Sequence, residues 1–90
     1  MRVALICRDK PGHLQTRLDN RSAHLAHIDA SGVVEMAGPF LSPEGQMTGS
    51  LVILNVDTLQ AAEDWAAADP YAKAGLFESV TITEWKKVIG

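Results

Sequence analysis

The sequence predicts an α+β fold in which a four-stranded antiparallel sheet carries two helices on one of its faces. Short aliphatic and β-branched runs, which are typical of strands, alternate with longer segments of helical periodicity. These elements follow one another in the order β-α-β-β-α-β. The chain has 90 residues, enough for one hydrophobic core, so residues 1–90 are expected to form a single domain.

The chain starts with a strand and a long helix. Residues 2–8 are short, aliphatic and β-branched, which predicts the first strand. Residues 12–30 are predicted to be helical, and Gly32 is expected to end this helix. The apolar residues of the helix recur at helical spacing, so we expect them to form a stripe that faces the core. This stripe consists of Leu14, Leu18, Leu25 and Ile28.

Two strands and a second helix follow. Residues 33–40 are predicted as the second strand, in which Gly38-Pro39 is expected to mark a bulge or the strand's end. The strongly apolar run 48–56 is predicted as the third strand.

The second helix is predicted to run to about Ala68, with Asp57 or Thr58 as its cap. Asp69-Pro70 then interrupts the alanine-rich helix. An Asp before a Pro is a common N-terminal cap, and here it would start a short helical turn.

The last strand, 77–88, completes a sheet whose two faces are both apolar. Two helices can cover only one face of a four-stranded sheet. The other face is therefore expected to meet the same face of a second copy, which predicts a homodimer. In the first strand, one face carries Val3, Leu5 and Cys7 and the other carries Ala4 and Ile6. In the third strand, one face carries Leu51 and Ile53 and the other carries Val52, Leu54 and Val56.

Composition excludes several classes of function. The net charge of −3 and the scattered Lys and Arg residues argue against nucleic acid as a partner. No apolar stretch approaches the roughly 18 residues of a membrane span, so no membrane association is expected. The single cysteine, Cys7, cannot form an intrachain disulfide and fits a reducing compartment, which makes the cytoplasm the expected location.

The first helix places polar residues where a core is expected. Arg21 falls inside the apolar stripe, and His24 and Arg17 lie at its edge. One interpretation is an arginine whose charged end reaches solvent, beside a histidine on the helix flank. The other is that Arg21 and His24 point into a pocket at the edge of the sheet. His13 and His27 are expected to be solvated, and no metal site is expected because carboxylate and thiol partners are missing nearby.

Asp69 raises a similar choice. On the helical wheel it lies on the inward side of the second helix, where the helix dipole disfavours a carboxylate. It could be only a cap. It could also orient His24, with one carboxylate oxygen capping while the other holds the histidine. A histidine backed by a carboxylate is a general acid–base unit, and Arg21 could neutralise an anionic group of a substrate.

Several motifs run through almost the whole chain in a fixed order. They are RLDNRSAHLAHI, AGPF, TGSLVI, AAEDWAAADPYAKAGLFESVTI and the closing EWKKV. In these motifs the chain resembles the YciI-like (YCII-related domain) family of the dimeric α+β barrel superfamily. The resemblance implies a ferredoxin-like fold that dimerises through the sheet. It also implies a pocket with His24 and Asp69 as catalytic residues, lined by Arg21, Ser50 and Tyr71.

The expected function is therefore a cofactor-independent enzyme of lyase or isomerase type, acting on a small anionic metabolite. The resemblance implies that some relatives act in the degradation of aromatic compounds. These include dehydrochlorinases and proteins similar to muconolactone isomerases. An alternative is a non-catalytic ligand-binding or accessory protein with the same pocket. A cofactor-free oxygenase is less favoured, because few aromatic residues are available to line a pocket. The turn LSPEGQM is short for the family, so its substrates cannot be transferred by analogy.

Overall fold

The computed structural model describes all 90 residues and contains one four-stranded antiparallel sheet, with the helices on one face. Its elements are β1 (Arg2–Asp9), α1 (Leu14–Ser31), β2 (Val34–Leu41), β3 (Met47–Asn55), α2 (Leu59–Ala68), α3 (Pro70–Lys73) and β4 (Phe77–Trp85). The strands lie in the order β2-β3-β1-β4, and every neighbouring pair is antiparallel. This is the ferredoxin-like arrangement, so the predicted fold class is confirmed. No helix has both the length and the apolar character needed to cross a membrane.

Most element boundaries lie within two residues of the prediction, and Thr58 caps α2 by accepting a hydrogen bond from the Ala61 N–H. The last strand is the exception, because β4 ends at Trp85 rather than near residue 88. The bulge or strand end expected at Gly38-Pro39 is also wrong. Both residues pair with β3 in regular register, and the register shifts instead near the two ends of β2. Pro39 is tolerated inside the strand because β2 lies at the edge of the sheet, where a missing N–H interrupts no outer ladder.

The core lies between the sheet and the helices. The register aligns Val3 with Leu54 and Leu5 with Val52, and all four side chains are at most 1% exposed. From α2, Ala62 and Trp65 complete this cluster. The face that carries Val3 and Leu5 is therefore the one that the helices cover.

The second helix is tied to the first through Trp65. The indole Nε1–H donates to Ser31 Oγ at 2.9 Å, and the Trp65 carbonyl accepts from His27 Nε2 at 3.1 Å. The rings of His27 and Trp65 also lie 4.5 Å apart, centroid to centroid. The expectation that His27 is solvated is therefore wrong, because it joins α1 to α2.

The predicted core stripe of α1 is wrong in part, because Ile28 packs against the core but two of the leucines do not. Leu18 and Leu25 are each 47% exposed, whereas Arg17 and His24 are only 3% and 6% exposed. Residues seven apart share a helix face, so Arg17 and His24 belong to one buried stripe. That stripe is polar, and its burial is tolerated because every buried side-chain nitrogen and oxygen has a hydrogen-bond partner.

No helix covers the second face of the sheet. Ala4, Ile6 and Leu51 are only partly buried there, and Met36 is 54% exposed. Trp85 lies on this face at the end of β4, opposite Arg2, and is 41% exposed. The alternation that the sequence predicted therefore leaves an apolar surface open to solvent.

Gly49 in β3 allows a close approach of the central strands, and its replacement should destabilise the fold. A β-carbon at this position would overlap the Cys7 carbonyl oxygen and lie 3.2 Å from the Phe40 ring. We expect Gly49→Ala to lower the free energy of unfolding by about 1–3 kcal/mol, measured by urea denaturation. Gly38→Ala is the matched control in β2, since a β-carbon there meets no atom within 4 Å. Equal stability of the two variants would show that β3 tolerates the extra carbon.

Candidate active site

His24 and Asp69 meet although 45 residues separate them in the chain. Nδ1 of His24 lies 2.8 Å from Oδ1 of Asp69, and the two side chains are only 8% and 4% exposed. A carboxylate oxygen can only accept, so the Nδ1–H of the imidazole donates this hydrogen bond. Nε2 is then the ring nitrogen that can take up or release a proton.

Asp69 is positioned by the local chain, between α2 and α3. It ends α2 and caps α3, where Pro70 occupies the first turn and Oδ1 accepts from the Tyr71 N–H at 3.0 Å. The same oxygen thus caps the helix and holds His24, whereas the sequence reasoning gave these tasks to two oxygens. Because the backbone fixes the carboxylate, the carboxylate in turn fixes the orientation of the imidazole.

Tyr71 forms the support beneath the imidazole. Its ring stacks on His24 with the centroids 3.9 Å apart and an interplanar angle of 15°, and it makes a T-shaped contact with the Phe77 ring. The guanidinium carbon of Arg17 lies 4.8 Å from the centre of the same ring. Burial raises the pKa of the Tyr71 phenol above its ordinary value, against the opposing effect of the Arg17 charge, so the phenol is neutral at pH 7.

Arg17 and Asp9 form a buried ion pair that the sequence reasoning missed. Arg17 Nε and Nη2 donate to the two carboxylate oxygens of Asp9 at 2.7 and 2.9 Å, and Nη2 also donates to Ser50 Oγ at 3.0 Å. Burial opposes the charge on Arg17, but its hydrogen bonds to Asp9 outweigh burial and raise the pKa of the guanidinium. The available signal was the seven-residue spacing of Arg17 and His24, which puts both on one face of α1.

A cavity of about 170 Å³ opens between α1 and the strands β2 and β3. Its polar wall contains Arg17, Arg21, His24, Ser50 and Tyr71, and aliphatic side chains such as Leu25, Ile28 and Val52 form the rest. Four of the five residues predicted for the site therefore line one cavity, and Asp69 lies behind His24. Arg21 is exposed and forms no ion pair, so it brings an uncompensated positive charge to the cavity.

Cys7 lies beside this cluster but is not a nucleophile. It pairs with Ser50 across the central strands and is 2% exposed. Burial raises the pKa of the Cys7 thiol to about 12, and the Asp69 carboxylate acts in the same direction. The thiol therefore stays protonated at neutral pH. No three His, Cys, Asp or Glu residues gather in a way that could hold a metal ion.

The family model of the YCII-related domain matches residues 1–86 of the chain. Among related sequences, Protein YciI of Escherichia coli O6:H1 is 37% identical over 97 residues, which covers 98% of this chain and 99% of the relative. An uncharacterised protein of Haemophilus influenzae is 38% identical with the same coverage.

Among solved structures, the fold matches TftG, a 5-chloro-2-hydroxyhydroquinone dehydrochlorinase from Burkholderia phenoliruptrix in complex with 2,5-dihydroxybenzoquinone. The TM-score is 0.90 at 33% identity, with 96% of this chain and 94% of that chain covered. An antibiotic biosynthesis monooxygenase matches with a TM-score of 0.56 at 10% identity, covering 96% and 98% of the two chains. At that level of identity the similarity extends to the fold alone.

The Asp9–Arg17 pair should matter for stability much more than an exposed pair does. Asp9→Asn leaves a buried guanidinium without its counter-charge, so we expect the free energy of unfolding to fall by about 3–5 kcal/mol. Glu35→Gln is the matched control, because the Arg2–Glu35 pair has side chains that are 35% and 25% exposed. Its loss should change the free energy of unfolding far less, because solvent screens an exposed pair. Chemical denaturation gives the free energy of unfolding of both variants. Similarly small decreases in the two would contradict the importance of the buried pair.

Proposed function

This chain belongs to the YCII-related domain family, and from that premise we propose that it is a cofactor-independent enzyme that moves a proton on a small anionic metabolite. The observation that carries this proposal is the Asp69–His24 pair at the wall of a cavity. Such a pair needs no metal or nucleophile to act as a general base and then as a general acid. The single free cysteine, Cys7, supports the cytoplasm as the place of this reaction.

The cavity supports a substrate with one six-membered ring. Its volume of about 170 Å³ is similar to the roughly 150 Å³ that accommodates a benzene molecule in an engineered cavity. The free charge of Arg21 favours an anionic group, and the Ser50 hydroxyl and Tyr71 add polar contacts. The structural similarity to a dehydrochlorinase that binds a dihydroxylated quinone supports the same substrate class here.

The reaction class follows from having one base and no nucleophile. In our proposal His24 Nε2 takes a proton from the ring substrate, while Asp69 stabilises the resulting imidazolium. The electron pair of the broken bond moves into the ring system. In a lyase, this electron pair then expels a leaving anion. In an isomerase, it takes the proton back from His24 at another atom of the substrate.

A non-catalytic ligand-binding or accessory protein is the second candidate. It is supported by the cap at α3, because Asp69 already has a structural task that requires no chemistry. A small acid that raises the melting temperature of the protein and is recovered unchanged would favour this candidate.

The catalytic proposal is tested with halogenated hydroxyquinols and muconate-type lactones. His24→Ala should lower kcat by about 10²- to 10⁴-fold, because it removes the general base. Asp69→Asn should lower kcat less, since asparagine can still cap α3 and the imidazole remains. His13→Ala is the matched control, a histidine outside the cavity. Wild-type turnover that persists in both site variants would exclude the mechanism.

We also propose that the chain forms a homodimer through the open face of its sheet. Partly buried aliphatic side chains of β1 and β3 lie there beside the exposed Met36 and Trp85, and no helix covers them. A groove at this face is lined mainly by apolar residues from β2 and β3, including Met36, Phe40 and Leu51. A second sheet would remove this surface from water and enlarge the core of a small domain.

The dimer can be tested by sedimentation at micromolar concentration. Met36→Lys introduces a charge on the open sheet face and should shift the protein from dimer to monomer. Leu18→Lys is the matched control, because Leu18 is similarly exposed, at 47%, but lies on α1. A monomeric wild type, or a Met36→Lys variant that dimerises like the wild type, would contradict this interface.

A further inference from the structure

The candidate active-site cavity has a polar end and an apolar end. The hydrogen bond from Arg17 to Ser50 marks the polar end, where it joins α1 to β3. In the sheet, Ser50 lies opposite Pro39. Two residues further along β3, Val52 lies opposite Ala37. Because a strand rises about 3.3 Å per residue, this second pair lies about 7 Å beyond the first, and the lining changes there from polar to apolar.

The first helix and β3 run in the same direction along the cavity. Near the start of α1, Arg17 bonds to Ser50 in β3. Just beyond the end of α1, the Val33 carbonyl accepts from the Asn55 N–H at the end of β3, at 2.8 Å. The C-terminal half of α1 therefore lies beside the apolar end. Two more apolar residues line the cavity from this half of the helix, Leu25 and Ile28.

The side chains of the apolar end suit only an apolar group. None of them carries a hydrogen-bond donor or acceptor, so a charged group or a hydroxyl would lose its bonds to water without replacement. A methyl group or a halogen would instead gain from leaving water. Residues that lie directly opposite in an antiparallel pair project to the same face, so the Ala37 methyl lies on the helix-covered side with Val52. Ala37 is the smallest of these side chains and leaves the most room for a ligand.

We propose that the apolar end is a specificity subsite that takes a small uncharged substituent of the ring substrate, such as a methyl group or a halogen. The subsite consists of Leu25, Ile28, Ala37 and Val52. This inference rests on the proposed function, and it narrows the substrate to a ring with an anionic group on one side and an apolar substituent on another. The subsite binds this substituent and takes no part in the proton transfer.

The size of the cavity limits the substituent. Its volume of about 170 Å³ is only slightly larger than the roughly 150 Å³ that accommodates benzene, which leaves room for a small group and excludes a second ring. His24 lies between Arg17 and Ile28 on α1, so a ring that reaches from the polar to the apolar end passes the imidazole. The substituent thus sets which ring atom faces the proposed base.

The test compares the affinities of two rings by titration calorimetry, 2,5-dihydroxybenzoquinone and its 3-methyl derivative. The wild type should bind the methyl derivative about 3- to 5-fold more tightly, as for the burial of one methyl group. Ala37→Leu fills the subsite and should weaken binding of the methyl derivative about 10-fold more than binding of the parent ring. Ala26→Leu is the matched control, because Ala26 is an exposed alanine of α1 outside the cavity, and it should keep the wild-type preference.

Leu25→Ala tests the subsite in the opposite direction, by enlarging it. Leu25 is 47% exposed, so its truncation spares the core, and the preference for the methyl derivative should fall below about twofold. A wild type that binds both rings equally, or neither of them, overturns the subsite, as does an Ala37→Leu variant that keeps the wild-type preference. Turnover is a separate measurement. A wild type with the expected preference that converts neither ring counts against the proposed reaction and leaves the subsite standing.

Discussion

The structure depends on polar bonds that hold α1 against the rest of the molecule. Arg17 joins α1 to the end of β1 and to β3, His24 joins it to the junction of α2 and α3, and His27 joins it to α2. These contacts are spread along α1, from Arg17 near its start to His27 in its last turns. A helix attached in this way is positioned by directional bonds, which fix its rotation more narrowly than apolar contact would. The cavity beside α1 can therefore keep its shape without being filled by side chains.

Local sequence signals predicted the elements and their order, because each one depends on neighbours in the chain. Thr58 and the Asp69-Pro70 pair illustrate this, since both caps follow from residue types at fixed positions. The face of α1 could not be predicted in the same way. On a helical wheel, the core face is taken to be the one on which the apolar residues cluster, and this choice selected Leu18 and Leu25. Whether a buried polar residue is tolerated depends on partners elsewhere in the chain, such as Asp9 for Arg17.

The candidate site shows the same limit. His24 and Asp69 were identified from the inward position of Asp69 and from the family motifs, but their contact required the packing of α1 against α3. Arg17 was noticed only at the edge of a stripe, and Asp9 was not considered, because an Asp after a strand looks like part of a turn. Spacing could have linked Arg17 to His24. No local signal links either residue to Ser50, which comes from the middle of the sheet.

The charges around the cavity differ in how they are compensated, and this difference explains how an anion could react in a buried place. His24 is backed by Asp69 and Arg17 by Asp9, so neither requires a ligand for its own stability. Arg21 alone has no carboxylate partner, and none of the residues that line the cavity is acidic. An entering monoanion therefore meets one uncompensated positive charge. In the proposed mechanism the substrate proton moves to His24, and the new imidazolium already faces Asp69. The positive charge that this mechanism creates on the imidazole would therefore lie next to a carboxylate that was in place before the ligand entered.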